Sequence, residues 1–182
     1  MRLKKINLIS GERGTGKTQF CERLIKTLIE NNLDIQGLIS PGIYRNGKRI
    51  CITVKDISSS KSKRLAVWSP GWDPEYPERE WKMQGEAIIW GNNIISHFSS
   101  CDVIIFDEIG YLELEKGTGW SEVFKVLKKG NYTCAFIVVR PSLLKLALAQ
   151  WPQSNIIRVK NGDDMEKPLQ DIVGYLIRDD AK

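Results

Sequence analysis

The chain has 182 residues, of which 42% are hydrophobic and 27% charged, a globular composition that excludes a disordered, collagen-like or coiled-coil protein. The length fits one domain over residues 1–182, and the net charge of +5 suits anionic partners such as nucleotides. Four widely spaced cysteines and a single histidine disfavour a zinc site. No apolar run could span a bilayer and the N-terminal segment does not resemble a signal peptide, so we expect a cytoplasmic, monomeric protein without membrane contact.

Apolar periodicity predicts strands and helices that alternate along the chain. The predicted strands of the main sheet are residues 4–10, 35–40, 103–106, 134–139 and 155–159. The predicted helices are residues 17–31, 81–98, 120–128, a segment after Pro141, and 165–177. Because strands that alternate with helices form parallel sheets covered on both faces, the sequence predicts an α/β fold.

Residues 41–80 interrupt this alternation. Asn46 and Gly47 stand between two short apolar-polar runs, a strong signal for a β-hairpin. A further strand is predicted at residues 65–68, and three prolines in residues 69–80 predict a loop without regular structure. We therefore expect residues 41–80 to form an inserted hairpin region at the edge of the parallel sheet.

Residues 11–18, GERGTGKT, match the phosphate-loop pattern GxxxxGK[ST] between a predicted strand and a predicted helix. The predicted phosphate-binding residues are Gly11, Glu12, Arg13, Gly14, Thr15, Gly16, Lys17 and Thr18. The glycines let the backbone wrap closely around a phosphate, and the N–H groups at the start of the helix attract negative charge. Lys17 can reach the β and γ phosphates, and the Thr18 hydroxyl can bind Mg²⁺. The loop therefore predicts a nucleoside-triphosphate site with Mg²⁺ as cofactor.

The second predicted element of the site is a pair of acids that follows the buried strand at residues 103–106. Asp107 is expected to hold Mg²⁺, and Glu108 to orient or deprotonate a water aimed at the γ phosphate. A directly adjacent glutamate is more typical of hydrolases than of phosphate-acceptor kinases.

Residues 107–114, DEIGYLEL, resemble the DEIG-x-M/L-E-L segment of the small P-loop nucleoside-triphosphatase family. The order of the other parts is also similar, from the phosphate loop through residues 37–40 to the G-x-R at residues 47–49. The resemblance implies a P-loop NTPase with a RecA-like, mostly parallel sheet. It also implies Mg²⁺-dependent hydrolysis of ATP, GTP and other nucleoside triphosphates to diphosphates, with broad base selectivity.

Hydrolysis is accelerated by a positive group over the developing charge, and four arginines are candidates. They are Arg45, Arg49, Arg140 and Arg158. The resemblance favours Arg49, whereas topology favours Arg140, because the C-terminal end of a parallel strand opens onto the ligand crevice.

Two segments leave alternatives open. Between residues 45 and 64 the chain has seven basic residues and one acid, which fits either a solvated edge or a contact with phosphate or nucleic acid. Residues 68–81 contain four aromatics among prolines, which suits packing onto the body, base stacking or a partner surface.

The alternatives to a hydrolase are a nucleotide or small-molecule kinase and a nucleic-acid-coupled ATP-binding module. Residues 161–164 keep only the ends of the guanine-reading NKxD pattern, which disfavours a GTPase switch, and nucleic acid is the less favoured partner.

Overall fold

The computed structural model describes residues 3, 5–69, 81–160 and 165–179. Nearly all of the predicted loop at residues 69–80, and the whole partial NKxD pattern at residues 161–164, lie outside the described residues. Among the helices of the described part, none is both long and apolar enough to cross a membrane.

The described residues contain a nine-stranded sheet in the order β6-β5-β4-β2-β7-β8-β1-β9, with β3 paired to β4. The strands are β1 (Ile6–Ser10), β2 (Ile35–Ile39), β3 (Gly42–Arg45), β4 (Lys48–Asp56), β5 (Ser62–Trp68), β6 (Trp81–Met83), β7 (Cys101–Phe106), β8 (Tyr132–Val138) and β9 (Asn155–Arg158). Strands β2, β7, β8, β1 and β9 pair in parallel. The antiparallel strands β3 to β6 extend the same sheet beyond β2.

Helices cover both faces of this sheet, as predicted for an α/β fold. They are α1 (Lys17–Glu30), α2 (Gly85–Ser96), α3 (Tyr111–Leu114), α4 (Glu122–Lys129), α5 (Leu144–Gln150) and α6 (Glu166–Asp179), with a 3₁₀ turn at Pro141–Leu143. The apolar sides of α1 and α6 pack on one face, and those of α2, α4 and α5 pack on the other.

Strand β7 shows why the central strands are apolar throughout. Val103 and Ile105 pack into the core beneath α1 and α6, whereas Ile104 and Phe106 pack into the opposite core, and all four are buried. A parallel strand covered on both faces has no solvent side on which polar residues would be favourable.

The hairpin prediction is confirmed in detail. Asn46 and Gly47 both have positive φ angles, 49° and 74°, as the tight turn between two twisted strands requires. The turn sets the register of β3 against β4, with Arg45 opposite Lys48 and Tyr44 opposite Arg49.

The prediction of a helix at residues 81–98 is wrong at its N-terminal end. Trp81–Met83 forms strand β6, which pairs with β5, and α2 begins only at Gly85. The apolar-polar-apolar order of Trp81, Lys82 and Met83 fits a strand at a sheet edge, and the pairing with β5 determines the outcome. The short helix α3 was not predicted, because four residues are too few to show helical periodicity.

The cysteines lie in the core, and the single histidine lies at the surface. All four cysteines are buried, and none forms a disulfide. Burial raises the pKa of the Cys134 thiol to about 12, which makes it unreactive. His97 follows the last turn of α2 at the surface, where its Nδ1 contacts the carbonyl oxygen of Asn93.

Candidate active site

The phosphate loop connects the end of β1 to the start of α1. Gly14 and Gly16 have φ angles of 85° and 89°, a conformation that favours glycine. At Gly11 a Cβ atom would lie 2.1 Å from the carbonyl oxygen of Val159. The close approach to the backbone that follows β9 therefore requires glycine. Gly16 is the N-cap of α1 and offers no side chain to its first turn. The N–H groups there are therefore placed to bind an anion.

Lys17 is held against its own loop. Its ammonium donates hydrogen bonds to the carbonyl oxygens of Gly11 at 2.7 Å and Glu12 at 2.8 Å. The Thr15 hydroxyl donates to the same Glu12 carbonyl at 3.0 Å, which tightens the turn. These contacts place the positive charge within the loop, where it can move to a phosphate without a large rearrangement of the backbone.

Asp107 is the buried acid at the end of β7, with only 4% of its surface exposed. Its carboxylate accepts a hydrogen bond from the backbone N–H of Ser40 at 3.3 Å. Burial raises the pKa of Asp107 to about 6, although the nearby Thr18 hydroxyl, the hydrogen bond from Ser40 and the charge of Lys17 oppose this. The structure thus brings the phosphate loop and the Asp107 segment together, as the sequence predicts.

Glu108 and Arg140 form an ion pair at the same edge of the sheet. Arg140 follows β8, which lies between β7 and β1, and its Nε donates to Oε1 of Glu108. Arg140 therefore lies at the C-terminal edge of the sheet, between the phosphate loop and the acid pair. The side chain of Arg140 is 67% exposed and that of Glu108 is 29% exposed, so both remain open to the cleft.

Arg49 approaches the same space from the hairpin. Its Nε and Nη2 donate to the Tyr44 hydroxyl at 3.1 and 2.8 Å, and its guanidinium lies 5.4 Å from the centre of the Tyr44 ring. The arginine also packs against Gly42, where a Cβ atom would lie 2.8 Å from Nε. Arg49 is therefore oriented by its own hairpin.

These residues line one cleft of about 680 Å³, a volume within the usual range for a small-ligand site. The predicted site residues on its surface are Glu12, Arg13, Gly14, Gly16, Lys17, Thr18, Arg49, Asp107, Glu108 and Arg140. Gly11 and Thr15 belong to the loop but do not line the cleft, and Thr15 instead holds the turn through its bond to Glu12. The other two candidate arginines, Arg45 and Arg158, are exposed and do not line the cleft either.

Comparison with known proteins agrees with this geometry. The family model described as NTPase matches residues 7–163. The chain belongs to the NTPase family. It is 27% identical over 169 residues to the nucleoside-triphosphatase THEP1 of Saccharolobus solfataricus, with 93% of this chain and 91% of the relative covered. It is 24% identical to the protein of the same name from Thermofilum pendens, with 74% of each chain covered.

Two solved structures confirm the fold of this NTPase family member. A human cancer-related nucleoside triphosphatase aligns with a TM-score of 0.67 and 16% identity, covering 94% of this chain and 96% of the other. THEP1 from Aquifex aeolicus also gives a TM-score of 0.67, with 18% identity and coverage of 94% and 98%.

The second glutamate of the segment DEIGYLEL, Glu113, has a structural role. Glu113 is buried, and its two carboxylate oxygens accept hydrogen bonds from the backbone N–H groups of Gly110 and Trp120, both at 2.8 Å. The carboxylate thus joins the segment that follows Glu108 to the start of α4. Glu113 supports the segment of residues 107–114 from within the protein and does not line the cleft.

The sequence indicated one wall of the cleft only through the base-stacking alternative for residues 68–81. This wall is formed by residues of strands β3 to β6 and lies across the cleft from the phosphate loop. Its residues are Tyr44, Ile52, Ala66, Trp81 and Met83. Alternating patterns indicated that β4 and β5 are strands, but not that one face of the hairpin region would lie over the phosphate loop.

Proposed function

We propose that this NTPase hydrolyses nucleoside triphosphates to diphosphate and phosphate, that it requires Mg²⁺, and that it has broad base selectivity. Family membership assigns the enzyme class and the substrate class. The relatives' name, nucleoside-triphosphatase, supports the reaction. We also propose that residues 1–182 act as one monomeric domain, since a single sheet contains the strands of the described residues.

The observation that carries the proposal is that Lys17, Thr18 and Asp107 line one cleft, with the Thr18 hydroxyl and the Lys17 ammonium close enough to lower the pKa of Asp107. Thr18 and Asp107 are 89 residues apart in the sequence (107 − 18), so the fold brings two distant segments together. In the proposed mechanism the N–H groups of the loop and the Lys17 ammonium bind the β and γ phosphates.

The donor atoms of Thr18 and Asp107 fit magnesium. A hydroxyl and a carboxylate provide hard oxygen ligands, and Mg²⁺ in nucleotide sites takes most of its other ligands from phosphates and water. Asp107 is a buried acid whose charge needs compensation, which favours a cation beside it. Thr18 and Asp107 would hold the ion, and the bound ion would neutralise charge on the β and γ phosphate oxygens.

Glu108 is the proposed general base. Its carboxylate orients a water whose oxygen attacks the γ phosphorus, while the bond from that phosphorus to the β–γ bridging oxygen breaks. The proton of the water goes to Glu108, and the electron pair leaves with the diphosphate. Arg140 holds the carboxylate through the ion pair, and it is the first candidate for stabilising the developing charge. Arg49 is the second candidate, held ready by Tyr44.

Phosphate release from ATP by the purified protein tests the proposal directly. We expect release with Mg²⁺ alone, loss of release when EDTA removes the metal, and similar rates with GTP. Release that depends on added RNA or DNA would instead indicate a nucleic-acid-coupled module. No release under either condition, with phosphate transfer to an added acceptor, would indicate a kinase and contradict the proposal.

A further inference from the structure

We infer that the cleft face of strands β4, β5 and β6 binds the base of the nucleoside triphosphate. The inference rests on the proposed function, because it assumes that the phosphates lie at Lys17 and Thr18. It adds a binding surface for the base, which we call the base wall, formed by Ile52, Ala66, Met83 and Trp81.

The sheet register brings these side chains to one face. Ile52 pairs with Ala66 across β4 and β5, and Ala66 pairs with Met83 across β5 and β6, so the three residues form one row. Trp81 lies two residues before Met83 in β6 and therefore points to the same face. All four line the cleft that also contains Lys17 and Asp107.

The base wall remains open to the cleft. Met83 is 42% exposed, Trp81 and Ile52 are half-buried, and Ala66 is buried at the base of the row. All four are apolar or aromatic, although they lie beside the polar phosphate loop. The phosphate loop and the acid pair account for the triphosphate end of the ligand but offer little apolar surface. A flat aromatic group attached to the triphosphate would cover the base wall, and the base is the part of the substrate with this chemistry.

The chemistry of the base wall also explains broad selectivity. Among the described residues on this side of the cleft, no carboxylate or amide side chain is present to read the edge of a base. The polar groups of Tyr44 and Arg49 are hydrogen bonded to each other. Stacking tolerates every base because every base has a π-face, whereas strong discrimination requires hydrogen bonds to its edge.

The test compares nucleotides with inorganic tripolyphosphate, which has the phosphates but no base. The variants are Trp81→Ala and Met83→Ala. Ile89→Ala serves as a matched control, because Ile89 is an apolar residue of α2 that is 72% exposed and does not line the cleft. Steady-state hydrolysis of ATP, GTP, UTP and tripolyphosphate is measured with Mg²⁺ for each protein.

We expect Trp81→Ala to raise KM for ATP, GTP and UTP together by about tenfold, the order that loss of one stacking contact gives. Met83→Ala should act in the same direction by a smaller factor. Values for tripolyphosphate should not change in either variant, and Ile89→Ala should match the wild-type protein throughout. An equal loss with tripolyphosphate, or unchanged KM for all three nucleotides, would overturn the inference.

A binding experiment separates this inference from the proposed hydrolysis. If the wild-type protein hydrolyses neither ATP nor tripolyphosphate, the proposed function fails while the base wall can still be tested. Displacement of a fluorescent nucleotide then gives the affinities of ATP and tripolyphosphate. The inference predicts that the wild-type protein prefers ATP and that Trp81→Ala removes the preference. Equal affinity of the wild-type protein for both compounds would refute it.

Discussion

Replacing Asp107 with asparagine is expected to stabilise the nucleotide-free protein at pH 8 and to abolish its activity. The carboxylate is buried, and its pKa is raised from 3.8 to about 6 by loss of solvation. A raised pKa means that folding makes ionisation less favourable. The charged acid therefore costs folding free energy above about pH 6, and this cost disappears as the pH falls towards 4.

The size of the effect follows from this pKa difference. A change from 3.8 to about 6 corresponds to about 3 kcal/mol of folding free energy at pH 8. Asparagine has the same shape without the charge, but it accepts hydrogen bonds at only one of its two terminal atoms. Losing the hydrogen bond from the backbone N–H of Ser40 costs about 1 kcal/mol. The net expectation at pH 8 is a stabilisation of about 2 kcal/mol.

Urea unfolding of both proteins without nucleotide or divalent metal measures this difference between pH 4 and pH 8. Asp107→Asn should be more stable at pH 8 by about 2 kcal/mol and slightly less stable near pH 4, since the lost hydrogen bond then acts alone. Added Mg²⁺ and ATP should raise the stability of the wild-type protein more than that of the variant, which keeps Lys17 and the loop but lacks the acid proposed to hold the metal. A variant that is less stable than wild type at pH 8, or a difference that does not vary with pH, would refute this account of Asp107.

Lys17→Ala should reduce affinity for a fluorescent nucleotide by about a hundredfold or more, since it removes the cation of the loop. Unchanged affinity would show that Lys17 does not contribute to nucleotide binding. Whichever of Arg140 and Arg49 stabilises the developing charge should lower kcat by about 10³ or more when changed to alanine, whereas the other should affect mainly KM. A kcat retained in both variants would exclude both arginines from this role. Gly119→Ala places a Cβ atom 1.9 Å from a buried carboxylate oxygen, so it should destabilise the protein by about 1–3 kcal/mol more than Gly117→Ala. Both glycines have similar positive φ angles but Gly117 has open space around it, so equal urea midpoints for the two variants would contradict this.

The phosphate loop and the acid pair could be predicted from sequence because their chemistry is local. Each occupies a short stretch next to a strand whose apolar character is evident in the sequence. Since the C-terminal ends of parallel strands meet at one edge of a sheet, the two segments could also be expected to lie close together. The contact of Arg49 with Tyr44 follows from the Asn46-Gly47 turn, which fixes the hairpin register.

Base stacking was one of three interpretations of residues 68–81, but the position of the base wall could not be predicted because it depends on pairing between distant segments. Trp81–Met83 becomes a strand only because β5 presents an edge to which it can bind. Alternation identifies the two faces of a strand but does not show which of them will face the phosphate loop. The ion pair of Glu108 with Arg140 has the same origin, because each residue was placed at a strand end but the order of β7, β8 and β1 makes them neighbours.

Glu108→Gln tests the central claim most directly, namely that the acid pair and the phosphate loop act on one triphosphate. The substitution keeps the shape of the side chain and removes its ability to accept a proton. We measure nucleotide affinity and single-turnover phosphate release in the same preparation. The account predicts ATP affinity within about threefold of wild type and a rate lowered by about 10² or more. Phosphate release at the wild-type rate would contradict it.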